Sequence, residues 1–114
     1  MIKPKTVMKI EFNKLKIAVI GDVMLDEYIF GKSDRISPEN PIPVVNYNSK
    51  DFRAGGAANV AVNLSNLGIK TDLYSLMSDD EGNAIILDII KKKKIKNLSI
   101  KSKKLSTTVK VRIY

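Results

Sequence analysis

Hydrophobic and polar positions change period several times along this 114-residue chain. Residues 15–21 (LKIAVIG) form a short apolar, β-branched run ending at Gly21, the pattern of a parallel strand covered on both faces. Residues 28–31 (YIFG) and 44–48 (VVNYN) read as two short strands. Between them, SDRISPENPIP carries Pro38, Pro41 and Pro43, which forbid a helix or a central strand and predict a loop or a sheet edge. Residues 56–67 (GAANVAVNLSNL) switch to a helical period. Val60, Ala61, Leu64 and Leu67 share one face, and Asn59, Asn63 and Asn66 form the other stripe. Gly68 stands just past the end, where a left-handed cap is expected.

Residues 71–77 (TDLYSLM) predict another strand. SDDEGNAIILDIIKKKK follows, with acids at its start and lysines at its end, the polarity that suits a helix dipole. It predicts a helix over 81–94 with Ile85, Ile86, Ile89 and Ile90 on the apolar face. Residues 98–101 make a weak strand. Residues 107–114 alternate strictly, with Thr107, Val109, Val111 and Ile113 on one side and Thr108, Lys110, Arg112 and Tyr114 on the other. That is a half-exposed strand.

Strand–helix–strand–helix order argues for an α/β chain with a parallel sheet, into which small strands and a proline loop are inserted after the first core strand. Residues 1–14 read as an irregular leader in which Met8 is a second candidate start, so the ordered unit is 15–114. About three core strands are few for this class, where sheets of ~5–6 are usual. The sequence also stops inside an alternating strand. The chain therefore reads as the front part of something longer, with an open edge and a marginal fold by itself. The apolar run 17–20 meets Gly21 and Asp22 at once, too short for a signal or a spanning segment. With no Cys, the cytoplasm is the expected compartment.

Composition narrows the chemistry. There is no Cys, His or Trp, which excludes a disulfide framework, a thiolate nucleophile, Cys-ligated metal and a Ser-His-Asp triad. The formal net charge of +8 is unevenly spread. Residues 91–114 hold nine Lys and one Arg and no acid, whereas the first 90 residues carry ten cations against twelve acids. Lys91–94, Lys96, Lys101, Lys103 and Lys104 read as a solvated helix end and loop that complements the macrodipole. A nucleic-acid or membrane patch is the sharper alternative, disfavoured because no aromatic side chain is interleaved to stack on bases.

Three constellations remain. Asp22 and Asp26 follow the first strand, where open α/β sheets bind ligands. Asp22 suits an ordinary turn, while Asp26 divides evenly between a turn and a hydroxyl- or cation-binding carboxylate. Gly55 and Gly56 precede a helix, with Asn59 in its first turn. Glycines there let a ligand approach the backbone and leave helix N–H groups free for a polyol or phosphate, although composition alone favours a tight turn with a local Asn cap. Neither G-x-G-x-x-G nor the P-loop pattern is present. Arg35, Lys110 and Arg112 could meet on a phosphate if the proline loop and the last strand share a sheet; scattered surface charge is the plainer reading.

Taken together, GDVMLDEY (21–28), DRISPENPIPVV (34–45), AGGAANVAVNLSNLG (54–68) and TTVKVRIY (107–114) resemble the start of a ribokinase-type (PfkB) carbohydrate kinase, over almost the whole chain. The two-glycine segment marks the superfamily. The proline segment, in order with GDVMLD, most resembles the branch acting on D-glycero-β-D-manno-heptose 7-phosphate. The resemblance implies a ribokinase-like three-layer α/β/α fold with an inserted β-lid, here as its N-terminal portion. It implies that Asp26 binds sugar hydroxyls, that Gly55, Gly56 and Asn59 form the sugar-binding glycine motif, and that 28–48 and 107–114 form the lid. Lys110 and Arg112, with Arg35, would meet the heptose phosphate. The implied reaction moves the ATP γ-phosphoryl to the anomeric hydroxyl, with Mg²⁺, on the way to ADP-heptose and lipopolysaccharide core. A homodimer joined through the lid is implied, and no nucleic-acid or membrane partner. The family's Gly-Ala-Gly-Asp segment, which holds the general base and an anion hole, is not among these residues. The ATP and Mg²⁺ sites are thus expected outside the chain, and no turnover is expected from these 114 residues. The competing reading is a sugar-phosphate binding or interaction module without catalysis.

Overall fold

The computed structural model describes residues 9–114, so the leader's first eight residues, Met8 included, lie outside the described part. In chain order the elements are β1 (Lys16–Ile20), β2 (Val23–Ile36), β3 (Pro43–Gly56), α1 (Ala57–Asn66), β4 (Lys70–Tyr74), β5 (Leu76–Met77), α2 (Glu81–Lys92), β6 (Lys96–Asn97), β7 (Ile100–Lys101) and β8 (Thr108–Ile113). The last part of the expected leader is not irregular. Phe12–Lys14 is a 3₁₀ turn closed by a Lys14–Glu11 ion pair at 2.7 Å.

Two sheets divide the chain. The core sheet is parallel in the order β1-β4-β6, extended by the β5-β7 pair. Both crossovers step in the same direction across the sheet. Connections of one hand then place α1 and α2 on the same face. Val19 and Leu73 are buried there against Ala57, Ala58, Ala61, Ile86 and Ile90. The far side of β1 carries no helix among the described residues, and Ile20 is 80% exposed. Residues 71–77 form two strands rather than one, broken at Ser75, whose amide bonds Ser99 Oγ at 3.0 Å. The partner strand breaks at the same level into β6 and β7. Backbone bonds Leu98 N to Leu73 O and Ile100 N to Ser75 O carry the ladder across the break.

The lid sheet has the order β3-β2-β8, with β2 antiparallel to β3 and parallel to β8. The two short strands expected at 28–31 and 44–48 are the middles of two 14-residue strands. Their outer halves lie in solvent on both faces, so no apolar period marks them; Leu25 and Ala54, at the root, are buried. The proline segment shrinks to bends at 38–41, and Pro43 opens an edge strand, a position that needs no N–H in the ladder.

The helices differ from expectation in which side chains they bury. In α1 the buried set is Ala57, Ala58 and Ala61, while Val60 and Leu67 are exposed. Small side chains let the helix lie close to both sheets, so bulk was a poor guide to its inner face. Gly68, with φ +86°, ends the turn in the left-handed region as its position suggested. In α2, Ile86 and Ile90 are fully inside and Ile85 and Ile89 pack beside them. Lys91–94 are all exposed at its C-terminal end, where Lys92 pairs with Asp88. A radius of gyration of 19.5 Å, against about 13 Å for a compact domain of this size, reflects the lid projecting from the core.

Candidate functional site

The site lies where β1 hands the chain to the lid and the lid returns it to α1. Gly56 is the hinge of that return, with φ +58°. A Cβ there would run into the Asp22 carbonyl oxygen, which accepts the Ala57 amide at 2.8 Å. Only glycine meets both demands. Asp22 thus contributes its backbone carbonyl to this turn. The helix that follows has no side-chain cap and no acid in its first turn.

One residue earlier, Gly55 makes room for Asp26. A Cβ on Gly55 would come within 3.1 Å of Asp26 Oδ1 and collide with the Met24 side chain. Asp26 Oδ1 is buried and has no hydrogen-bond partner in the protein. Its nearest cation is Arg112 Nη1 at 3.6 Å, an ion pair too long for a hydrogen bond. A buried carboxylate oxygen without a donor is costly unless something supplies one.

The lid register gathers the other groups. Asp26 stands opposite Arg53 on β3 and Lys110 on β8, and Tyr28 stands opposite Arg112. Arg112 Nη1 donates to Tyr28 Oη at 3.1 Å. Both guanidinium groups lie against the Tyr28 ring, Arg53 Cζ at 4.7 Å and Arg112 Cζ at 5.3 Å from its centroid. Tyr28 and Phe30 each stack on Tyr114 with centroids 5.9 Å apart. This register keeps the expected division of β8 into two faces. Its polar positions share the Asp26 face and Arg112 is half-buried, while Val109, Val111 and Ile113 are exposed on the other side.

Not every candidate converges. Arg35 lies beyond the two irregularities of β2, opposite Val44. It is seven residues from Tyr28, roughly 23 Å along an extended strand. Asn59 is exposed and lines a groove with Phe52, Arg53, Ala54, Val62 and Ile89, and none of its hydrogen bonds reaches Asp26. Arg53, and not Arg35, stands on the Asp26 face. Sequence reasoning passed over it because its facing depends on the hairpin register; counting back two residues from Gly55 along an extended strand would have put it on the Asp26 side.

Near the same junction, the start of α2 is closed. Asp80 caps the helix, accepting from the Asn83 amide at 2.9 Å, the Thr107 amide at 2.7 Å and Thr107 Oγ1. Hydrogen bonds from the Ser78 and Thr107 side chains and from the Thr107 and Asn83 amides hold its carboxyl well below the usual carboxylate range. The described residues contain no cluster of three or more Asp, Glu, His or Cys able to hold a metal ion. They also lack a phosphate-cradling glycine loop. These residues do not fit a nucleotide–Mg²⁺ complex, and no step of phosphoryl transfer is assigned to them.

Residues 14–113 match the family model described as "pfkB family carbohydrate kinase". The chain is 47% identical, over 85 residues, to the "Bifunctional protein HldE" of Haemophilus influenzae strain PittEE. The match covers 75% of this chain and 18% of that relative, so the chain spans under a fifth of the relative's length. The backbone resembles Escherichia coli phosphofructokinase-2 solved with fructose-6-phosphate, with a TM-score of 0.69 and 16% identity over 87% of this chain and 31% of that one. It also resembles a Xylella fastidiosa fructokinase solved with bound ATP, with a TM-score of 0.61 and 16% identity over 86% of this chain and 29% of that one. At such identities the structural likeness concerns the fold, which is that of ribokinase-like sugar kinases.

Proposed function

This chain belongs to the pfkB carbohydrate kinase family, and from that premise we propose that it supplies the sugar-binding side and lid of a kinase for heptose 7-phosphate. The observation that carries the reading is the buried, unpartnered Asp26 Oδ1 beside Gly55. A sugar hydroxyl supplies the hydrogen that this oxygen lacks. Arg53, Lys110 and Arg112, on the same lid face, form a cationic set for the phosphate of the sugar, and guanidinium groups grip phosphate through paired N–H donors. The Tyr28–Tyr114–Phe30 shelf offers an apolar surface beside them. Gly55 and Gly56 keep the wall free of side chains, and Asn59 would reach the sugar from the first turn of α1 once the lid closes.

In this reading residues 15–114 form the lid and sugar-binding part of the kinase fold. The reaction would pass the γ-phosphoryl of ATP to the anomeric oxygen of the sugar, with Mg²⁺ neutralising the moving charge. These residues bind and orient the acceptor; the group that takes its proton is not assigned here. The specific substrate is suggested by the proline segment and by the likeness to HldE. ADP-heptose and lipopolysaccharide-core synthesis in the cytoplasm is the corresponding setting. No helix among the described residues is long and apolar enough to cross a membrane. A homodimer joined through the lid would cover the exposed Val109, Val111 and Ile113.

Calorimetric titration of the intact protein with heptose 7-phosphate tests the assignment. Saturable binding that is lost on removal of the sugar phosphate group or on Asp26→Asn supports it. Absence of binding by the unaltered protein, or equal affinity for the sugar with and without its phosphate, contradicts it.

A further inference from the structure

A cavity of about 290 Å³ lies between the start of α2 and the root of the lid, and the site described above does not use it. Asp22, Met24, Ser78, Asn83, Thr107 and Thr108 are among its lining residues. Met24 and Thr108 are register partners on the Asp26 face of the lid, one step inward from Asp26 and Lys110. Met24 also lies against Gly55 and Gly56. The cavity therefore adjoins the proposed sugar site, its nearest wall two residues, about 7 Å, from Asp26 along the strand.

Asn83 is the unusual member. It is 2% exposed, and its Oδ1 is buried without any hydrogen-bond partner in the protein. Its backbone amide is committed to Asp80, which fixes the residue in the first turn of α2. Two hydroxyls of the wall are satisfied by protein partners. Ser78 Oγ and Thr107 Oγ1 share a hydrogen bond at 2.6 Å, and Thr107 is held by Asp80. Asn83 Oδ1 is thus a buried acceptor without a donor, in a pocket lined by the acidic Asp22 and bordered, through Thr107, by Asp80. That arrangement repels an anion and accepts a hydrogen-bond donor.

We propose that this cavity is a second hydroxyl subsite of the sugar pocket, in which Asn83 Oδ1 accepts a hydrogen bond from a sugar hydroxyl. The inference rests on the sugar-kinase reading and adds to it a determinant of sugar specificity outside the motifs of the first strand and the glycine turn. Asp26 and Asn83 then hold two different hydroxyls, while the cationic lid face holds the phosphate. The division of labour also explains why an acceptor is tolerated unsatisfied in the core: a ligand group completes it.

The test uses the intact protein and two substitutions, Asn83→Leu, which keeps the branched shape and deletes the acceptor, and Asn83→Ala, which deletes it and leaves space. Binding of heptose 7-phosphate and of inorganic phosphate is measured by calorimetry without nucleotide, beside thermal unfolding. The expected result is a loss of sugar-phosphate affinity of about tenfold in both variants. Inorganic phosphate binding should be unchanged, and the Asn83→Leu protein should melt no lower than the parent. Unaltered heptose 7-phosphate affinity in a folded variant overturns the subsite while leaving the Asp26 site intact. An equal loss for inorganic phosphate also overturns it, because the effect would then be a general distortion of the site. If the parent binds no sugar phosphate, the kinase reading itself fails and takes the subsite with it.

Discussion

The two helices of this chain begin in opposite ways. At α2, Asp80 caps the helix, Glu81 adds an acid to the first turn, and Asp80's bonds to Thr107 tie the helix to the strand entering the lid. At α1 the cap position is Gly56, in the left-handed region, with no side-chain cap and no acid. Asp26, beside that turn, keeps a buried oxygen without a donor. The first start is finished by the protein itself. The second is left incomplete at the place where glycines clear a wall and cations collect. One carboxylate is saturated by protein donors; the other is unsaturated and, in the proposed reading, serves a ligand. Local stability has been given up at one junction and not at its neighbour, which is the usual relation between binding sites and their scaffolds.

Substitutions break this contrast in a definite order. Gly56→Val should have the largest effect. The left-handed backbone alone costs a β-branched residue about 1–3 kcal/mol, and the new Cβ meets the Asp22 carbonyl. A large drop in Tm together with loss of sugar-phosphate binding is expected, read by calorimetry and circular dichroism. A fully stable variant would show that the turn is not as described.

Asp80→Asn comes next and acts on stability. The folded carboxyl titrates below its unfolded value, so its contribution is fully present above the ordinary carboxylate range, near pH 4. It is lost as pH falls through the folded value. Melting curves of parent and variant should therefore differ at pH 7 and draw together in acid. A constant offset at all pH values would remove Asp80 from this role.

Arg53→Gln should weaken heptose 7-phosphate binding by less than tenfold, because the side chain is exposed and screened by solvent. The remaining affinity should also depend less steeply on salt. An unchanged salt dependence would place Arg53 outside the phosphate grip. Leu67→Met should be the smallest change, within about 0.5 kcal/mol, since Leu67 is half exposed at the end of α1. A clear destabilisation there would mean that the helix end is covered in the intact protein.

Much of this contrast could be read from the chain before any coordinates, and the misses have physical causes. Both helices, the parallel core strands, Gly68 as a cap and the Gly55-Gly56 turn follow from periods and from glycine chemistry. The lid strands were underestimated because a ribbon in solvent on both faces has no apolar period to detect. The inner face of α1 was misjudged because three alanines, not the bulkier Val60 and Leu67, do the packing. Arg53 and Asn83 were passed over for a different reason. Arg53 depends on hairpin register, which counting back from Gly55 recovers, whereas Asn83 depends on how α2 packs beside the strand after it, which is not written in local sequence.

The most direct test of the account is Asp26→Asn in the intact protein, with heptose 7-phosphate affinity and Tm measured on the same sample. The substitution keeps the shape and removes the charge from an oxygen that no protein donor satisfies. The account predicts that Tm holds or rises while affinity falls at least tenfold, given ~1.5–3 kcal/mol for a hydrogen bond to a charged group. Unchanged affinity, or a loss of Tm in its place, would show that Asp26 is a structural carboxylate like Asp80 and would contradict the reading of the open junction as a ligand site.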